Sequence, residues 1–564
     1  MRSKKLTKVL SLVLASAFVL SLAGCAKSTE KTAETNTTPT KEAATNQEAT
    51  TAPVEETTDK TLADFDKVDQ FNYYNLAAGI TDEEFNASPL AKLVEDHTGY
   101  KVTYTQSPAD ATDMQTAITN IFMLKQDYQA VKVSKDQFYT LLAMDALLPI
   151  TEYVNASTNL KEQISEFGWE TASKNGEIYA IPQKNAFASN SVGISYRVDW
   201  LNEYNTANPT ATIPVPSEEN GYSMTLSDYK TMLQYFATKV PEGGYAMAVD
   251  TNGVFLENIL PAFGIYQDWA DVNGTLTYVV DQPGFADYAA YMEDLYDSGL
   301  IMYQATSNDA GAVKALQSRT AGAGRIAHWN AYAIETTFAK EGEDLSTYTD
   351  ETIGYIQALV PDDAKGDASK VRVYATEGYA YYTVIPNYTT AEQAAAVIDF
   401  ADKKLEADFF LKLVLGTEGQ TFTVENGEYY PILPAFNDEQ GLSDKFVDGV
   451  READYAKYWL CRTRKTAAQD KMFSMINYNI ASTGVQNPIT VMPPNEAYDT
   501  YYNAANTEVK NAIVTSMYQS GVAFDLAAIQ SKWVEYEGKT ITESVNGWYQ
   551  SWAAKDTFNA VKPR

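Results

Sequence analysis

The sequence predicts an α/β protein of two lobes built on largely parallel sheets, and three observations carry that prediction. About 500 residues follow residue 62, too many for one compact domain and enough for two large lobes. From Gln70 onward, short apolar strands alternate with amphipathic helices, the pattern of βαβ units. After the apolar run near the N-terminus no second long one appears, so the body is expected to be soluble.

The elements come in order along the chain. "QFNYYNLA" reads as the first strand, with Tyr73 and Tyr74 at its end, where α/β sheets present ligand contacts. "SPLAKLVEDHTGY" reads as a helix: Ser88 caps it, Pro89 suits its first position and Gly99 ends it. Leu90, Leu93, Val94 and His97 share one face of it. "YKVTYTQ" is the next strand, "DATDMQTAITNIFM" a helix, "AVKVS" a strand and "DQFYTLLAMDALLPI" a helix. "NGEIYAIPQKN" gives a turn, a strand and a loop, and "SVGISYRVDWLNEYN" comes after it. In "TLSDYKTMLQYFATK", Thr225 and Asp228 suggest a capping box, and Tyr229, Met232, Leu233 and Phe236 share a face. "GFADYAAYMEDLYDSGL" is a helix stopped by Gly299, "GYAYYTVIP" a strand, and the run opened by Thr389 and Glu392 one long helix or two.

The N-terminus reads as a targeting segment. Arg2, Lys4, Lys5 and Lys8 precede fifteen apolar or small residues, Val9 to Ala23, a length that suits a signal peptide rather than a membrane span. Leu22-Ala23-Gly24-Cys25 then resembles the lipobox of bacterial lipoproteins, which implies diacylglycerol on the Cys25 sulfur and cleavage before it. Residues 26–61 hold no aromatic residue and one large aliphatic, Val54, so they cannot bury enough apolar area to offset their ordering entropy. A flexible tether of that length spans roughly 30 to 35 Å. With Cys25 acylated, no intrachain disulfide is expected, and Cys461 reads as a small buried residue.

Charge narrows the partners. The formal charge is −31, and loss of the four basic residues with the signal peptide takes it to −35. So negative a surface repels nucleic acid and anionic lipid. Aromatic residues make up 12%, with 39 tyrosines. Ring faces stack on sugars, but tyrosines also fill the amphipathic surfaces of large acidic proteins, so composition alone leaves both uses open.

Several stretches, in order, resemble the extracellular solute-binding proteins of bacterial ABC importers, in particular the large lipoproteins associated with oligosaccharides. They are "SPLAKLVEDHTGYKV", "NGEIYAIPQ", "ISYRVDWLNEYN", "SMTLSDYKTMLQYF" and "AAAVIDFADKKLEADFFLKLVLGTEGQTFTVENGEYYPI". The resemblance implies a periplasmic-binding-protein-like (type II) fold, with two α/β lobes, crossing hinge segments and a ligand cleft between the lobes. The expected boundaries are 1–24 signal peptide, 25–62 lipidated cysteine and tether, 63–195 with 376–420 first lobe, and 196–375 with 421–564 second lobe. It further implies an extracytoplasmic, lipid-anchored monomer that closes on a carbohydrate and docks on an ABC permease, with no cofactor. Many relatives carry an acidic calcium loop after the helix matching 225–239. Here that place reads "VPEGGYAMAVD", so no calcium is expected there, and Asn273-Gly274 in "DVNGT" reads as a hairpin turn.

The candidate ligand contacts are Tyr74, Asn185, Trp200, Trp269, Trp329, Asn330 and Tyr379, joined more loosely by Tyr381 and the Arg197–Asp199 pair. The aromatics would stack on sugar rings and the amides would bond hydroxyls; Trp269 and Trp329 are equally candidate core residues, and Trp200 reads more readily as an interlobe core residue than as a contact. Gly322-x-Gly324-x-x-Ala327 is a poor dinucleotide fingerprint, since the residues after it read as an aromatic strand rather than a helix. No His-Glu-x-x-His helix or Gly-x-Ser-x-Gly elbow is present and only two histidines occur, so no catalytic residue is expected. A glycoside-active enzyme, which needs only two placed carboxylates, remains an alternative, as do a receptor for a non-sugar solute such as a peptide and a surface adhesin.

Overall fold

The computed structural model describes residues 60–186, 189–250, 255–304, 310–338, 352–376, 378–518 and 524–558. Cys25, the expected signal peptide and all but the last three residues of the expected tether lie outside these ranges. Among the described residues no helix is long and apolar enough to cross a membrane.

Ten strands form two main sheets: β1 (Gln70–Asn75), β2 (Lys101–Gln106), β3 (Ala130–Ser134), β4 (Ala180–Lys184), β5 (Val192–Arg197), β6 (Tyr245–Asp250), β7 (Ile301–Gln304), β8 (Ala321–Ala327), β9 (Ile353–Ile356) and β10 (Tyr379–Val384). The first sheet runs β2-β1-β3-β10-β4 and the second β7-β6-β8-β5-β9. In each, one strand opposes the rest: β10 in the first and β5 in the second. Both of these begin directly after the chain has crossed from the other lobe. Their first residues therefore lie at the same sheet edge as the carboxyl ends of the parallel strands, the edge where open α/β sheets bind ligands.

Local signals explain the elements. Helix α1 (Pro89–Thr98) starts at Ser88, whose hydroxyl accepts the Ala91 N–H, and stops at Gly99 with φ 79°. Leu90 and Val94 are buried, while His97 reaches the surface and stacks on Phe409. Helix α2 (Lys135–Ala143) follows β3 directly. Helix α3 (Ala391–Lys404) is capped by Thr390 with Gln393, one residue later than Thr389 and Glu392 suggested, and a second helix, Ala407–Leu415, comes after it. In the second lobe Thr225 caps Leu226–Ala237, and Tyr229, Met232, Leu233 and Phe236 are fully buried. The Asp228 carboxylate pairs with Lys365 rather than turning back to close a capping box. Asn273 and Gly274 both take positive φ and join Trp269–Val272 to Thr275–Tyr278 as a hairpin. Residues 245–250, where a calcium loop would stand in relatives, form β6.

Gly322 and Gly324 lie inside β8, not in a strand-to-helix turn. A Cβ on Gly322 would sit 2.6 Å from the Phe236 ring and 2.8 Å from that of Trp200, so close packing accounts for this glycine.

The cores place the lobe boundaries differently from the expected ones. Phe422, Phe436, Phe446, Val450 and Cys461 share one core with Phe71, Leu90 and Phe400, so 421–463 packs with the first lobe. The expected boundary gave this stretch to the second. Strand β5, expected partly in the first lobe, belongs wholly to the second sheet. The second lobe also takes the C-terminal helices: Tyr498, Ile513, Trp533 and Tyr549 share its core with Tyr229 and Trp269, through α4 (Glu496–Met517) and the two helices after it. Cys461 is buried, and that burial pushes its thiol up to about 12.

The first two crossings lie side by side. The Asn185 N–H donates to the Gly378 carbonyl at 2.8 Å, and Ser189 bridges Thr376. A third crossing, 464–466, joins helix Tyr455–Thr463 on the first lobe to helix Ala467–Ile476 on the second.

Candidate ligand-binding site

A cavity of about 360 Å³ opens on the second lobe at the cleft edge of its sheet. Arg325 reaches it from β8, near that strand's carboxyl end. Glu257 and Phe255 reach it from the segment after β6, and Tyr374 from the strand Val373–Ala375 that leads into the second crossing. Gln267, Asp268 and Lys510 complete its polar lining.

Buried amides hold these groups in place. The Asn258 side chain donates to the carbonyls of Val192 (3.1 Å) and Gln357 (2.8 Å), fixing the Glu257 segment to the sheet edge. The Gln267 side chain donates to Ala375 and Val485, fixing Asp268 beside Tyr374. Asp268 accepts from the Tyr502 hydroxyl at 2.8 Å, from its neighbour's backbone N–H at 3.1 Å and from the Asn487 amide at 2.5 Å. Arg325 meets Glu257 in two parallel bonds, Nε to Oε2 at 2.7 Å and Nη2 to Oε1 at 2.8 Å.

The start of α2, on the first lobe, lies near this cavity and lines a smaller recess with Tyr498, Asp499 and Tyr502. Solvent reaches Asp136 although protein closely surrounds its carboxylate, and its charge is felt together with those of Asp268 and Lys510. Lys135 donates to the Ile489 carbonyl at 2.6 Å, and Tyr139 to that of Met492 at 2.9 Å, so α2 rests on the segment leading into α4. Burial raises the carboxyls of both Asp136 and Asp268, and pushes Asp499, in the first turn of α4, up to about 7. Burial likewise pulls Lys135 down to about 8 and pushes the Tyr374 phenol up to about 12. Aromatic faces, a preformed guanidinium–carboxylate pair and anchored carboxylates suit a neutral, hydroxyl-rich molecule.

Four of the sequence candidates are core residues. Tyr74 is buried under the first sheet with its ring 5.4 Å from that of Tyr128. Trp200 packs edge-on against Phe236 near the end of β5 that points away from the crossings, with the Arg197 guanidinium over its ring; Arg197 itself pairs with Asp199. Trp269 is fully buried among Tyr278, Tyr498 and Trp533. Tyr379 turns into the first lobe, where its hydroxyl meets Ser165 and Glu452 at 3.0 Å each. A buried ring has no face left for a ligand. The other three stand at the cleft edge or the hinge: Asn185 and Asn330 are half-buried, and Trp329, 52% exposed, directly follows β8 and His328. Tyr381 is half-buried at the start of β10.

Sequence reasoning missed Glu257, Asp268, Arg325, Tyr374, Lys510 and Asp136. One signal was available: Arg325 interrupts the otherwise apolar strand "AGAGRIA", and a charge within a buried strand needs a partner or a task.

His328 packs edge-on against Phe473 and Trp459 and is buried, which pulls its imidazole down to about 4 despite a bond to the Ser191 carbonyl. The folded chain therefore keeps it neutral where the unfolded chain, at the usual 6.5, takes up a proton. Its contribution is full above pH 6.5 and is lost as pH falls toward 4. His328→Gln is expected to flatten the acid limb of stability against pH between 6.5 and 4 by on the order of 2 kcal/mol, measured by urea titration at a series of pH values.

No protein-family model matches the chain. A curated relative, an uncharacterized protein in the butB 5' region of Niallia circulans, is 26% identical over 266 residues, which is 47% of this chain and 99% of the relative. Solved structures match nearly end to end. An HMO-binding, ABC-transporter-associated solute-binding protein of Bifidobacterium longum infantis superposes with TM-score 0.60 at 13% identity, covering 85% of this chain and 98% of that one. The substrate-binding protein FusA of S. pneumoniae, solved with kestose, gives 0.62 at 13%, covering 86% and 99%. The fold is that of the two-lobed solute-binding proteins. An alginate-binding protein solved without calcium ion gives 0.57 at 16%, covering 87% and 99%.

Proposed function

We propose that the protein is the extracytoplasmic receptor of an ABC importer. It captures a carbohydrate, an oligosaccharide by preference, between its lobes and hands it unchanged to the permease. The single observation that carries this reading is the polar, aromatic-walled cavity at the cleft edge of a solute-binding-protein fold, lined by the Arg325–Glu257 pair and Asp268. The neighbours of similar fold have sugar ligands named with them: HMO, kestose and alginate. Capture by lobe closure requires only that ligand touch both lobes in the closed state; Asp268 lines the cavity on one lobe, and Asp136 of the other lobe stands near enough to join it on closure. Lipidation at Cys25, with the stretch after it as tether, would hold a monomeric body at the outer face of the membrane; two acyl chains suffice for stable anchoring. Neither carboxylate lining the cavity is set up for proton transfer, since Glu257 is paired with Arg325 and Asp268 accepts three hydrogen bonds.

A thermal-shift screen over oligosaccharides, peptides and amino acids tests this. A sugar is expected to raise the melting temperature and to be recovered intact. A shift with peptides alone, or turnover of the sugar, would refute it. Trp329→Ala is expected to weaken binding of the sugar found in this way by roughly tenfold, the worth of one aromatic stacking contact, with the melting temperature of the free protein unchanged because the ring is half exposed.

A further inference from the structure

We infer that the cavity selects uncharged sugar units and rejects units that carry a carboxylate. The inference rests on the carbohydrate reading above and adds the class of sugar.

Two-pronged recognition of an acidic sugar needs a free guanidinium, and Arg325, which lines this cavity, is already engaged. Arg325 presents Nε and Nη2 to both oxygens of Glu257, the same two-pronged geometry a ligand carboxylate would use. A uronate would have to displace a carboxylate that is tethered in place and loses no freedom by staying there. Lys510 stands 5.7 Å over the Phe255 ring and offsets the charges of Asp268 and Asp136. Lys135, on the opposing lobe, donates to the Ile489 carbonyl. On the cavity wall Arg325 and Lys510 stand against Glu257 and Asp268, so no positive charge is left in excess for a ligand carboxylate.

A further negative charge therefore enters a wall whose positive charges are already matched. Like charges set together in a desolvated site cost several kcal/mol, enough for a hundredfold or more in affinity. Hydroxyls meet no such obstacle. They donate to the remaining lone pairs of Glu257 and Asp268 and accept from the Lys510 ammonium.

The test uses the mature chain without its lipid, first on a panel of neutral cello-, manno-, malto-, xylo- and fructo-oligosaccharides, oligogalacturonate, oligoalginate and sialyllactose. Binding is expected among the neutral members only. Calorimetry then compares the neutral chain that binds with its counterpart oxidised at C6 to the uronate, which is expected to bind at least about 100-fold more weakly. Glu257→Gln, which releases Arg325, is expected to narrow that ratio at least about tenfold, while Lys510→Gln widens it. Preference for an acidic member, a ratio near one, or a ratio that Glu257→Gln leaves unchanged in a folded variant would each overturn the inference. Failure of every sugar, neutral and acidic alike, would instead remove the carbohydrate reading and this inference with it.

Discussion

Replacing Lys404 with methionine is expected to lower the unfolding free energy by about 3–5 kcal/mol, read as a fall in the urea midpoint. Lys404 and Asp448 form an ion pair that solvent barely reaches, at 2% and 3% exposure. Lys404 comes from α3 and also donates to the Phe446 carbonyl at 2.8 Å. Asp448 accepts from Tyr73 on β1 and from Thr383 on β10 at 3.0 Å. The pair thus ties four separate parts of the first lobe at one point, and one of them is the 421–463 stretch. Burial works against each ion; the partner, with Lys132 nearby, holds the Asp448 carboxyl below its usual range. Removing the lysine alone leaves a buried carboxylate with Tyr73, Thr383 and the more distant Lys132. Replacing both partners with apolar groups of similar volume is therefore expected to cost much less than the single change, because the cost lies in the orphaned charge. Equal losses in Lys404→Met and in the double variant Lys404→Met, Asp448→Leu would contradict this account.

The second large effect falls on binding. Arg325→Ala is expected to weaken the captured sugar by at least about 100-fold, near 3 kcal/mol, by removing hydrogen-bond donors at the cavity and leaving Glu257 as an unpaired, partly buried charge. Calorimetry with the sugar identified by thermal shift reads it directly. Asp199, paired with Arg197 at the far end of β5, gives the control: Asp199→Asn breaks a comparable ion pair and is expected to leave affinity within about twofold. A loss in Asp199→Asn as great as that in Arg325→Ala would mean that the effect is general destabilisation.

Elements with local causes were legible in the sequence. Ser88, Pro89 and Gly99 bound α1; Thr225 opens the helix whose buried face is Tyr229, Met232, Leu233 and Phe236; Asn273-Gly274 makes its hairpin. Each depends on a few neighbouring residues. The lobe to which 421–463 belongs was not legible, because it depends on Phe422, Phe446 and Asp448 meeting residues hundreds of positions away. The site was legible only at its margins. Aromatics drew the reading toward Tyr74, Trp200, Trp269 and Tyr379, yet this chain spends tyrosines heavily on its cores, among them Tyr73, Tyr139, Tyr196, Tyr229, Tyr278 and Tyr288. Trp269 misled by one position: its ring turns into the core, while its neighbour Asp268 lines the cavity. The charged pair that shapes the cavity joins residues 68 apart and left only a lone arginine in an apolar strand as its trace.

Small-angle scattering of the protein with and without the sugar that stabilises it tests the central claim most directly. A receptor that closes around its ligand is expected to show a smaller radius of gyration at saturation, and to lose that compaction in Arg325→Ala at the same sugar concentration. Scattering curves that coincide at saturating sugar, with binding verified in the same sample, would contradict capture by lobe closure.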